Sequence, residues 1–480
     1  MFDSKLVRLI CSLRYKERKR FRAFLASPFF NSNEQLSRLN EAIEEAFFEL
    51  GNKETDKTWI FHRVFGEEKA YDDSRMRLLM SDLLKLVEEF LAYLSFASDK
   101  VASRYYLLRE LNQRQQDKHF AAVMRALQKS MEQGKLRNDS FYLDEHMLAV
   151  EQKNYAFRQK GVRSKRTDFF EAGQSLDHYY LTAKLRFCCE SLSTGNVLQV
   201  EPDLDLLEEV LSYLETRNYE HIPPIPVYYT ILQLLMQEDA EPWYEKLREL
   251  VDEYGAQFPP EELWEIYGYA INYCIRRSNS GTPSFRKDLL DWYRRALEEG
   301  LLYTGNHLMH WDYKNIVTAG LNVGEYEWVR SFIDKYKPKL EARYRKNAYT
   351  YNLARYYFEQ KDYDRVLQLL QKVEYEDVFY NLGAKTMLLR IYFELEETDA
   401  LHSLFDSFGV FLRRNKVISD GHRTNYLNMI RYLKKLNTIP QGEDGKLSAL
   451  RSEVEKTKQI ADISWLLDQI DRRKEIGLRK

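Results

Sequence analysis

The 480-residue chain reads as an all-α protein and, within that class, as an α-solenoid of stacked antiparallel helix hairpins with an N-terminal helical region. Three observations lead there. Charged residues make up 30 % of the composition against only 19 Gly and 11 Pro, a balance that suits helices with solvated outer faces. The length exceeds what one compact core usually fills, so the chain must split into domains or add core linearly. Finally, Leu353, Tyr356, Tyr357, Val366, Leu369, Leu370 and Val373 recur 35 residues later as Leu388, Ile391, Tyr392, Leu401, Leu404, Phe405 and Phe408. A register kept through two helices and their turn is the mark of hairpin units that bury one apolar stripe against the next.

The N-terminal region, residues 1–100, opens with a helix to about Ser12 and a second from Tyr15 to Ala26, stopped by Pro28. A third helix is expected to start at Ser32, because Gln35 three residues on completes a capping-box pattern. Residues 73–96 carry Met76, Leu79, Met80, Leu83, Leu84, Val87, Phe90, Leu91 and Leu94, an apolar face wide enough to need covering on more than one side.

Residues 101–438 are read as hairpin repeats. Second helices align on Leu207, Leu247, Leu289, Val329, Val366 and Leu401, spaced by 40, 42, 40, 37 and 35 residues. The polar segment Arg277 to Ser284 accounts for one of the wider spacings as a loop insertion. Residues 439–445, Ile-Pro-Gln-Gly-Glu-Asp-Gly, form a linker, and residues 446–480 supply capping helices with Trp465, Leu466 and Ile470 as the apolar face.

Within this array, the run NLARYYFEQKDYDRVLQLLQKV resembles a tetratricopeptide repeat: Leu353, Ala354, Tyr357, the turn Lys361-Asp362-Tyr363, Val366 and Leu370 occupy its signature positions. Gly324-Glu325-Tyr326 repeats the turn one unit earlier. Val366 and Leu401 stand where the family prefers Ala, Leu389 where it prefers Gly or Ala, and the closing Pro is absent. The resemblance covers about residues 260–410 and implies a right-handed superhelix. The early RYKERKRFRAFLASPFFN and the late FLRRNKVISDGHRTNYLNMIRYLKKL are similar to segments of uncharacterised bacterial helical-repeat proteins, which supply no activity.

If that geometry holds, the resemblance implies that Tyr351, Arg355, Phe358 and Glu359 face a concave groove. Arg390, Phe393 and Glu394 follow one repeat later. Two arginines so placed suit the carboxylates of a bound peptide, whereas the alternative is simple pairing with Glu359 and Glu394 at i+4. A second candidate is the row Arg14, Arg18 and Arg22 on a basic helix, which could meet nucleic-acid phosphates. His307 and His310, with Asp312 nearby, could share a helical face as metal ligands, but nothing like HExxH accompanies them and no metal is expected. Asp203 and Asp205 fit acids at a helix start.

Phosphate-cradling, dinucleotide and nucleophile-elbow motifs are missing, so no cofactor and no catalysis are expected. The net charge of −2 excludes long-range attraction of the whole molecule to nucleic acid or acidic membrane. Cys11, Cys188, Cys189 and Cys274 lack a CxxC and read as reduced thiols of a cytoplasmic protein. Lys5 and Arg8 interrupt any signal-peptide core, and Ile222 to Gln237 is too short and proline-rich to span a membrane. The 34 Tyr, 26 Phe and 7 Trp suit helix seams or an aromatic-lined groove. The sequence therefore points to a non-enzymatic scaffold or adaptor that binds a protein or peptide segment in a superhelical groove. The alternative is a nucleic-acid-associated regulator acting through the basic helix.

Overall fold

The computed structural model describes residues 4–49, 56–160, 166–198, 200–238, 240–371, 378–440 and 443–478; Val373 of the recurring pattern and Gln441-Gly442 of the linker lie outside them. Among the described residues there are 23 α-helices, each packed mainly on its neighbours in the chain. The chain divides into two compact units, Met1–Phe258 and Pro259–Lys480, so the division falls within the segment read as one repeat array.

The first unit begins with α1 (Lys5–Ser12), α2 (Tyr15–Leu25), α3 (Glu34–Glu44), α4 (Lys57–Phe65) and α5 (Asp73–Ser98). Their starts are set by side chains that accept otherwise unpaired backbone N–H groups: Ser4 from Val7, Asp56 from Trp59, and Asp72 from Ser74 and Arg75. The third helix is capped by Asn33, which accepts from Gln35 N–H at 3.0 Å, and not by Ser32. A carboxamide is as good a cap as a hydroxyl, so the pattern located the helix but misplaced its cap by one residue. These five helices enclose one core built on Ile10, Phe21, Leu39, Ile43, Ile60, Leu83, Val87 and Phe90.

α6 (Lys100–Gln113), α7 (Asp117–Gln133), α8 (Asp139–Lys160) and α9 (Arg166–Leu198) follow, then α10 (Leu207–Glu215), α11 (Pro224–Met236) and α12 (Glu241–Tyr254). α8 and α9 form a long hairpin, and α9 packs in turn on α11. Proline stands in the first turn of both α11 and α12, where a missing N–H costs nothing. α11, the proline-rich apolar stretch, is buried along most of its length.

The second unit comprises α13 (Pro260–Asn279), α14 (Phe285–Glu298), α15 (His310–Asn322), α16 (Tyr326–Tyr336), α17 (Ala342–Glu359), α18 (Tyr363–Leu370), α19 (Val378–Glu394), α20 (Thr398–Arg414), α21 (Asp420–Thr438), α22 (Asp444–Lys456) and α23 (Ile463–Leu478). Three of its short helix-to-helix turns repeat. Gly324, Lys361 and Glu396 all have φ between +57° and +79°, and the next residue's N–H returns to the carbonyl five back: Glu325 to Gly320, Asp362 to Tyr357, Glu397 to Tyr392. This left-handed helix stop turns the chain back within two or three residues, which forces consecutive helices to lie side by side. One departure from the all-helical expectation is a two-stranded hairpin, β1 (Tyr303–Thr304) and β2 (His307–Leu308), joined by Gly305-Asn306 with Gly305 at φ +63°.

Tyrosines serve the seams. Tyr313 donates to the Ile333 carbonyl at 2.7 Å and Tyr380 to the His310 carbonyl at 3.1 Å, so each buried ring keeps its hydroxyl satisfied. None of the four cysteines is in a disulfide, and burial pushes the Cys189 thiol up, as an inert core thiol requires.

Candidate functional site

Of the groove residues expected from the sequence, Tyr351, Phe358 and Phe393 are buried. Tyr351 stands apart, 4.7 Å from the Tyr380 ring and edge-on to it, its hydroxyl lying over Gly383. Phe358, Arg390 and Phe393 come together, but against the chain's own α23. The Arg390 guanidinium sits 4.8 Å from the Phe358 ring centre and 5.0 Å from that of Trp465, and reaches Asp462 at 3.4 Å. Trp465 meets Phe393 edge-on at 5.7 Å and donates its indole N–H to Glu394 at 2.7 Å. Arg355 instead pairs with Glu359 at 2.8 Å, the i+4 alternative. The two arginines thus have different partners, and both serve packing inside this unit.

The basic row is also partly engaged. Arg22 forms a forked ion pair with the buried Glu44, whose other oxygen accepts from Asn40 at 2.8 Å. Arg18 lies 3.6 Å from the centre of the Phe48 ring. Arg14 caps its own helix, its N–H donating to Glu17 at 2.7 Å. His307 lies on β2 and His310 in the first turn of α15, so they do not share a helical face; His310 stacks on Tyr344 at 4.1 Å. Among the described residues no cluster of three or more His, Cys, Asp or Glu could hold a metal. Likewise, among them no helix is long and apolar enough to cross a membrane.

A different surface stands out on α9. Its core side carries Ala172, Ser175, Leu181, Thr182, Leu185, Cys188 and Cys189, all buried. On the opposite side Phe169, Leu176, Tyr180 and Phe187 are 48, 47, 41 and 46 % exposed. At 100° per residue these four fall within a narrow band of the helix surface, so the helix has two apolar stripes back to back. The second stripe is carried in the sequence by the heptad-like spacing of 169, 176, 180 and 187, which core-facing periodicity alone does not pick out. Beside Tyr180 the surface is concave: a hollow of about 250 Å³ is lined by Leu181, Leu206, Val210 and Tyr213, where α9 meets α10. Leu206, the residue before α10, has φ +63° and holds a leucine outward at 56 % exposure.

Comparison with known proteins found no matching family model, no matching curated protein and no matching solved structure. The functional reading therefore rests on the geometry of this chain.

Proposed function

We propose that this chain is a non-enzymatic scaffold of tetratricopeptide-like helical hairpins, stacked as a solenoid, that binds a segment of another protein in the cytoplasm. The observation that carries the reading is the second apolar stripe of α9: Phe169, Leu176, Tyr180 and Phe187 face solvent on a helix whose opposite side is already buried. Several large apolar side chains aligned on one exposed helix face mark an interaction surface, whereas single exposed hydrophobics do not. The recurring left-handed turns at Gly324, Lys361 and Glu396 support the hairpin-repeat part of the proposal.

The docking face is assigned to α9 and α10 and not to Arg355 and Arg390, whose side chains are spent on Glu359, Asp462 and two aromatic rings. The nucleic-acid alternative is weakened in the same way, because Arg22 is committed to a buried carboxylate. The test is affinity capture with the full chain and with a Leu176→Glu/Phe187→Glu variant whose helix content is unchanged by circular dichroism. Proteins retained by the parent chain are expected to be lost from the variant. Equal capture by both would contradict the assignment.

A further inference from the structure

We propose that a groove crossing α10, from the α9 stripe to α12, takes a cationic amphipathic peptide segment of the partner, with lysines or arginines interleaved among bulky apolar residues. This rests on the scaffold reading and adds the partner's chemistry. Two hollows flank α10, the one beside Tyr180 and another of about 570 Å³, and the open face of α10 carrying Glu208, Glu209, Ser212, Tyr213 and Thr216 runs between them, with Glu209 and Tyr213 lining the first and Thr216 the other. The larger hollow is walled by Tyr219, Tyr229 and Trp243, the last two edge-on at 6.0 Å, and Tyr213 and Tyr219 join the two through a 3.0 Å hydroxyl contact.

The charge on this groove has one dominant sign. Its lining carries Asp177, Glu208, Glu209, Glu215 and Glu220 against Arg217 and Lys246. Lys246 is already neutralised by Glu249 at 3.3 Å. None of the five lining carboxylates has a salt bridge to another described residue. The stretch 201–220 contains seven acids and one cation in a chain whose total charge is nearly balanced, so the negative potential is local. Carboxylates at the rim would neutralise basic side chains. Meanwhile the tyrosine and tryptophan faces accept both the aliphatic stems and, by attraction to the ring quadrupole, the charged heads. A neutral or acidic segment would leave the carboxylates facing one another across a drying interface.

The experiment titrates the full chain against a labelled synthetic peptide of lysine and leucine in helical heptad order, followed by anisotropy, with a glutamate–leucine peptide as its inverse. The lysine peptide is expected to bind and the glutamate peptide not to bind. A Glu208→Gln/Glu209→Gln/Glu215→Gln variant should bind the lysine peptide at least about tenfold more weakly. Raising salt from about 50 to about 500 mM should weaken the parent complex similarly. A Glu67→Gln/Glu68→Gln control, neutralised on exposed acids elsewhere, should match the parent. Equal affinity of the triple variant and the control, or equal binding of the two peptides, would overturn the inference. If Leu176→Glu/Phe187→Glu still abolished protein capture in that case, the scaffold reading would survive and only the partner's chemistry would be wrong.

Discussion

Asp312 illustrates how burial alone perturbs a side chain in this molecule. Removal from water pushes its carboxyl up to about 6, with no cation to offset the cost. Because the folded-state value lies above the unfolded one, the native state is favoured fully below about pH 4 and loses that advantage as pH rises through about 6. Asp312→Asn should therefore raise stability at pH 7 by about 1–2 kcal/mol and leave it unchanged near pH 3.5, as urea titrations at the two pH values would show. Gly383 is constrained differently. A Cβ there would meet the Tyr351 hydroxyl at 1.9 Å and its ring at 2.9 Å, so this buried side chain would have to shift. Gly383→Ala should cost about 1–3 kcal/mol by overpacking, read as a lowered denaturation midpoint. Such contacts were not legible in the sequence. Arg390 could be paired on paper with Glu394 by helix spacing, but its actual partner, Asp462, is 72 residues away, and only the packing of α23 brings it near.

The hairpin turns were the most legible elements, and the structure explains why. Lys361-Asp362-Tyr363 carries a turn signal, and there Lys361 takes the left-handed conformation at φ +59° while Asp362 caps α18 by accepting from the Arg365 N–H. A lysine pays a steric penalty in that conformation that glycine does not. Lys361→Gly is expected to stabilise the unit by about 1 kcal/mol, measured as a raised urea midpoint. The same substitution at Glu396, φ +57°, should act alike, because the turn is built the same way. α9 was harder to read. Two opposed apolar stripes cancel in a periodicity argument, so a helix that is amphipathic in neither direction looks merely hydrophobic. Its exposed stripe became visible only once α8 and α11 were seen to cover the other side.

Across the chain, the all-helical class followed from composition and apolar spacing. What did not follow was where the compact units part: Pro259-Pro260 marks a break at 258/259, but such a dipeptide ends one helix and starts another without showing that a unit ends there, which depends on contacts between distant segments. The closing helices are integral to the second unit. Leu447, Leu450, Val454, Leu466 and Ile470 share one core with Leu404, Phe405, Phe408, Tyr432 and Leu433. Truncation after Ile439 would expose that core, and the shortened chain is expected to aggregate on expression, checked by size-exclusion chromatography. Glu208 and Glu209 lie in the first turn of α10, where each carboxylate favours the helix by at most about 1 kcal/mol, so neutralising the α10 acids should weaken binding while lowering the thermal midpoint by no more than a few degrees.

Side-chain oxidation footprinting, applied to the isolated chain and to the complex recovered by affinity capture, separates these roles in one comparison. The scaffold account expects Phe169, Tyr180, Phe187, Tyr213 and Trp243 to become protected in the complex, while Phe29, exposed on the first unit away from α9 in sequence, stays reactive. Unchanged reactivity across α9 and α10, with protection appearing elsewhere, would contradict it.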